Sequence, residues 1–142
     1  MGILFIADNA GIGCAGWVLR ALASDIAEIL KEKGHVELAD WLTSDVSPIQ
    51  LYSDLDVRDL TKKNQKAFLE SIVPAYERSK KRGCENWNDP SYWEGYIGLF
   101  GNLAEQVNLI SQGKVPTSLP NLNGVSEHDG TKSGPGWNDN DA

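Results

Sequence analysis

Three long stretches of the chain space their apolar residues three and four apart, the period of a helix with one buried face. Over 14–33, Ala15, Val18, Leu22, Ile26, Ile29 and Leu30 share one side, while Arg20, Ser24, Asp25, Glu28 and Lys31 fall mostly on the other. Over 61–82 the stripe is Gln65 in part, then Phe68, Leu69, Ile72 and Tyr76. From 89 to about 112 it is Trp93, Tyr96, Ile97, Phe100, Leu103, Ala104, Val107 and Ile110. A shorter segment, VELADWLTSD over 36–45, predicts a fourth helix with Leu38, Trp41 and Leu42 inward.

Local signals set the ends. Gly34 closes the first helix, with Lys31 and Lys33 in the last turn where cations suit the dipole. Thr61 is the N-cap candidate for the 61–82 helix, and Asp89-Pro90 pairs a capping carboxylate with a proline at the first helical position. Gly83 and Gly113 stand where helices stop. Pro74, inside the 61–82 pattern, removes a backbone donor and predicts a kink or split.

Strand signals are confined to the N-terminal half. ILFIA over 3–7 is a continuous apolar run, and residues 8–13 read as a loop. PIQLYSDLDVRDL over 48–60 is ambiguous between loop and one or two short strands. The fold class is therefore mainly α (α+β). Four to five helices pack in one domain over 1–113, with one or two short strands in its first half. Residues 114–142, rich in Pro, Gly and Asn and poor in apolar side chains, predict a flexible tail. No internal repeat is visible.

A chain of 142 residues can bury a core without metals or disulfides. Its net charge of −7 disfavours non-specific binding to nucleic acid or anionic lipid. No apolar run reaches the roughly 18 residues of a membrane span. The start of the chain lacks the basic region of a signal peptide, Asp8 interrupts its apolar run, and Ile6 stands where a myristoylation motif wants Ser or Thr. A cytoplasmic protein with reduced thiols at Cys14 and Cys84 is expected.

Charge is unevenly distributed. Residues 35–60 hold Glu37, Asp40, Asp45, Asp54, Asp56 and Asp59 against Arg58 alone. Residues 61–82 hold Lys62, Lys63, Lys66, Arg78, Lys80, Lys81 and Arg82 against Glu70 and Glu77. Residues 83–113 hold Glu85, Asp89, Glu94 and Glu105 and no Lys or Arg. Internal complementarity is one reading; an acidic patch steering a basic partner is the other.

Gly11-Ile12-Gly13-Cys14-Ala15-Gly16 spells G-x-G-x-x-G, which makes Gly11, Gly13 and Gly16 candidate cofactor contacts. A dinucleotide turn needs its strand to run straight into the first glycine, an acid ending a second strand, and further parallel strands. Here Asp8-Asn9-Ala10 intervenes, Glu37 and Asp40 lie far downstream for a ribose acid, and no strand-like runs follow residue 60. The glycines are better explained by a tight turn and close helix packing. Asp8 to Gly13 also resembles the D-x-G-x-G box of histidine-kinase and gyrase type ATPases, but Ala10 breaks that spacing.

Cys14 opens a helix, a position that favours thiolate. His35, at the far end of that helix, would lie about 30 Å away, too far for a dyad; a structural cysteine is expected. His128 falls in the tail, the two histidines and two cysteines lack ligand spacing, and Asp54, Asp56 and Asp59 lack the glycine and distal Glu of a calcium loop. Neither catalytic residues, nor a cofactor, nor a metal is expected.

Two features stand outside ordinary folding. Gly95, Gly98 and Gly101 share a side of the last helix, where each costs about 1 kcal/mol relative to Ala; a close crossing by another helix, a ligand or a partner is expected there. Trp87 and Tyr92 flank the Asp89 cap, where exposed rings beside acids are common interface anchors. In size, acidity, helix content and surface aromatics the chain resembles small acidic bacterial proteins that neutralise a toxin, or the short proteins of phage and mobile elements, a likeness of character that covers no alignable stretch.

The expected function is binding of another protein, basic in charge, with immunity- or antitoxin-type occlusion as its most concrete form. Neither nucleic acid nor a membrane is expected as partner. The candidate contacts are Glu37, Asp40, Asp54, Asp56, Asp59, Glu85, Trp87, Asp89 and Tyr92. The alternatives are a small-molecule or nucleotide binder using residues 8–16, and a structural subunit of a helical assembly pairing through the glycine face.

Overall fold

A computed structural model of the chain describes residues 2–8 and 10–114. The tail expected over 114–142 lies, apart from Lys114, outside them. The elements run β1 (Gly2–Ala7), β2 (Ala10–Cys14), α1 (Gly16–Glu32), α2 (Val36–Leu42), α3 (Pro48–Tyr52), β3 (Asp54–Asp56), a 3-10 turn (Val57–Asp59), α4 (Lys62–Arg82) and α5 (Pro90–Ser111). The chain is mainly helical, with five α-helices and a small three-stranded sheet in one domain.

The sheet order is β2-β1-β3, with β2 antiparallel and β3 parallel to β1. Register aligns Ile12, Leu4 and Leu55 in one row, and all three are fully buried against the helices. Phe5 takes the other face, where the Arg58 guanidinium lies 4.7 Å from its ring centre.

Residues 10–14 are a strand, where the sequence reads 8–13 as a loop and Cys14 as the start of the first helix; that helix begins at Gly16 instead. Their glycines argue against a strand on propensity, yet Ala10, Ile12 and Cys14 alternate into the core, and pairing with β1 supplies the rest. Gly11 sits at φ 155°, where an added Cβ would lie 2.0 Å from the Leu4 carbonyl oxygen, so this position requires glycine. The ambiguous 48–60 segment resolves into a short helix, a third strand and a 3-10 turn. Ser47 caps the helix at the Ile49 N–H and Asp56 caps the turn at the Arg58 N–H.

The helices follow their stripes. α1 buries Val18, Leu19, Leu22, Ala23, Ile26, Ala27, Ile29 and Leu30 between α2 and α4. Thr61 caps α4 at the Asn64 N–H, and Asp89 caps α5 at the Ser91 N–H with Pro90 at its first position. α4 runs through Pro74 without splitting. The carbonyl that Pro74 leaves without its helical donor is that of Glu70, and Lys33 Nζ donates to it at 3.1 Å, which offsets part of the loss.

The basic end of α4 meets α1. Arg78 pairs with Glu32, and Arg82 with Glu28 at 3.3 Å. These pairs are exposed and screened by water and salt, so each adds little to stability. A fully buried Leu or Ile contributes about 1.5–3 kcal/mol, so the core holds the helices and the ion pairs select their register.

Candidate functional site

The start of α5 carries a cluster of aromatic rings. Asp89 accepts from the Ser91 N–H at 2.9 Å and from its hydroxyl at 2.7 Å, and these bonds hold its carboxyl below the usual range. The helix thus started projects Tyr92 outward, 63% exposed. Trp17, from the first turn of α1 and 42% exposed, lies 6.0 Å from both Tyr92 and Trp87, centre to centre. Trp87 stacks in turn on buried Tyr96 at 5.1 Å. It is half-buried and serves as the floor of the cluster. Glu85, Asp89 and Glu94 stand exposed on the same segment.

Behind the rings lies a small polar cleft of about 180 Å³, lined by Asp25, Ser79, Arg82, Trp87, Trp93 and Tyr96 among others. Ser79 Oγ donates to Asp25 Oδ2 at 2.8 Å, the Tyr96 hydroxyl donates to the same oxygen, and Arg82 Nη1 stands 3.9 Å from Oδ1. Burial, then the Asp25 charge, push the Tyr96 hydroxyl far above the ordinary phenol range. The network is closed on itself and anchors the aromatic floor.

The candidate glycines do not form a turn. Gly11 and Gly13 lie along β2, and Gly16 opens α1 against Ser53, whose Oγ would lie 2.7 Å from an added Cβ. The Gly11 backbone is occupied: its N–H donates to Gln106 Oε1 at 2.7 Å, and its carbonyl accepts from Gln106 Nε2 at 2.9 Å. Gly13, with Ile12, borders a cleft of about 400 Å³ whose other wall is Glu94, Gly95, Gly98, Leu99 and Asn102 of α5. The expected close crossing occurs at Gly101 alone, where the Tyr76 ring packs. A Cβ on Gly95 or Gly98 would meet nothing within 4 Å, because this part of α5 stands away from its neighbours.

The acids of 35–60 do not form one open patch. Asp56 grips Arg58 with both oxygens, at 2.8 and 2.6 Å, and Asp8 takes a third guanidinium bond at 2.9 Å. Asp40 pairs with Lys31 at 3.3 Å. Asp54 and Asp59 are half-buried with interactions of their own. Glu37 is exposed in the first turn of α2. Much of the segregated charge is thus neutralised within the fold, while the acids of 85–94 project beside the rings.

A groove of about 520 Å³ between α4 and α5, floored by Leu69, Val73, Val107 and Ile110 and edged by Lys66, has no counterpart in the sequence reading. Its signal was a stripe wider than the core can cover: Leu69, Val107 and Ile110 belong to the predicted faces yet remain half-buried.

Cys14 is buried, and burial pushes its thiol up to about 11. No three His, Cys, Asp or Glu side chains gather as a metal site among the described residues, and none of the described helices is long and apolar enough to cross a membrane. Comparison with protein-family models, curated proteins and solved structures finds no match.

Proposed function

We propose that the chain is a protein-binding domain whose docking face is Trp17, Trp87 and Tyr92, rimmed by Glu85, Asp89 and Glu94. The carrying observation is the contact of Trp17 with Tyr92, two large rings held together at the surface. A pre-ordered aromatic pair over a half-buried Trp offers contact area at little entropic cost, and such residues dominate binding energy where they are fully desolvated on docking. Four acids and no base on the segment 83–113, three of them beside the rings, favour a basic partner and raise its encounter rate. The most concrete form is an inhibitor of the immunity type, which covers the basic cleft of a toxin and acts by occlusion.

The test is a quantitative pull-down from lysate of the native host, comparing the natural chain with a Trp17→Ala/Tyr92→Ala variant. A stoichiometric basic protein held by the natural chain and lost by the variant, with binding that weakens in salt, supports the reading. Equal retention by both forms overturns it.

A further inference from the structure

The outer edge of β2 offers a second recognition element beside the rings. In an antiparallel pair, alternate residues turn their N–H and C=O toward the partner strand and away from it. Gly11 turns away from β1, as its two bonds to Gln106 establish. Gly13, two residues on, turns the same way. Among the described residues nothing hydrogen-bonds to Gly13 from that side. Folded proteins usually cover or blunt such an edge; here Gln106 covers it at Gly11 and leaves it open at Gly13.

In front of Gly13 lies the cleft of about 400 Å³, backed by Gly95 and Gly98. The absence of side chains at these two positions leaves room for another backbone between β2 and α5. Glu94 stands on the same wall. The rings are near in the chain: Tyr92 precedes Gly95 by one helical turn, and Trp17 follows the end of β2 by three residues.

We propose that this edge receives an extended, lysine- or arginine-bearing segment of the partner, added as a strand to β2 at Gly13 with its basic side chain against Glu94. The proposal rests on the protein-binding reading and names the form of the bound segment. Backbone bonds to a sheet edge supply affinity, and side-chain contacts supply selectivity. Charge chooses this occupant over a second copy of the chain, since pairing two copies through β2 would bring together two Glu94 walls on chains of net charge −7.

The experiment uses the nitrogen-15-labelled full chain and two blocked peptides about seven residues long, one alternating Lys with Val and the other Glu with Val. The lysine peptide is expected to shift the Gly13 and Gly98 amides and to slow hydrogen exchange at Gly13, while the glutamate peptide does neither. Gly98→Leu, at a position open enough to keep the fold, is expected to weaken binding about tenfold or more by filling the cleft. A Gly13 amide unmoved by the lysine peptide, equal binding of both peptides, or unchanged affinity in Gly98→Leu overturns the proposal. So does a free protein already protected at Gly13 and dimeric in sedimentation, which assigns the edge to a second copy. Tyr92→Ala separates the two readings. Binding lost there but kept in Gly98→Leu overturns the strand edge and leaves the aromatic face; the reverse supports the edge and overturns the aromatic face.

Discussion

Gln106 stands to Gly11 as a neighbouring strand would, accepting from its N–H at 2.7 Å and donating to its carbonyl at 2.9 Å across 95 residues of sequence. The amide plane of one side chain thus replaces a peptide unit at the sheet edge. Gln106 is 5% exposed, so water cannot readily take over both bonds. Replacing it by Leu leaves two buried backbone groups unpaired, and a loss of about 2–3 kcal/mol is expected, read as a lower urea midpoint. Gln106→Glu places an acceptor against the Gly11 carbonyl and Asn102 Oδ1. Its deficit should shrink as the pH falls and the introduced carboxyl becomes a donor.

Glycines of one chain are expected to respond in opposite directions. Gly11→Ala forces a Cβ to within 2.0 Å of the Leu4 carbonyl oxygen at a positive φ, and should cost more than about 3 kcal/mol. Gly95→Ala and Gly98→Ala add a Cβ into open space and should each stabilise by about 1 kcal/mol. Thermal unfolding of the three variants checks the order; a destabilising Gly95→Ala would show that the wall of the cleft is closed in solution.

Alkaline pH should destabilise the fold before it damages the chain. Burial pushes the Cys14 thiol up to about 11 from an ordinary 9.0, and burial and Asp25 raise the Tyr96 hydroxyl above its ordinary 10.0. Over these ranges the folded chain keeps protons that the unfolded chain has released, so stability is full below about pH 9 and falls as pH rises. Urea unfolding measured from neutral pH to about 11 checks the slope, which Cys14→Ala should flatten first. Thiol labelling at pH 8 should modify Cys84 and spare Cys14.

Much of the helical frame was legible because its signals are local. Thr61, Asp89-Pro90 and the stripes at Phe68, Ile72 and Phe100 act within a few residues of where they are read. β2 was not, because Gly11 and Gly13 belong to a strand only through β1 and Gln106. The same distance hid the fate of the charges: Arg78 and Arg82 find Glu32 and Glu28 across 46 and 54 positions, not the acid-rich segment next to them. Of the candidate site, Tyr92 was legible from its place beside a helix cap. Trp17 was not, since only the fold carries it to the start of α5.

The long span between Gly11 and Gln106 also bears on synthesis. β1 and β2 leave the ribosome before the other described elements, and the residue that covers their edge is among the last of the described ones to emerge. Until α5 emerges the nascent hairpin carries an apolar strand with bare outer amides, the kind of surface on which chains pair with one another. A transcript cut short before α5 would therefore yield an aggregating product rather than a smaller working domain, and chaperone demand should be concentrated in the interval before α5 docks.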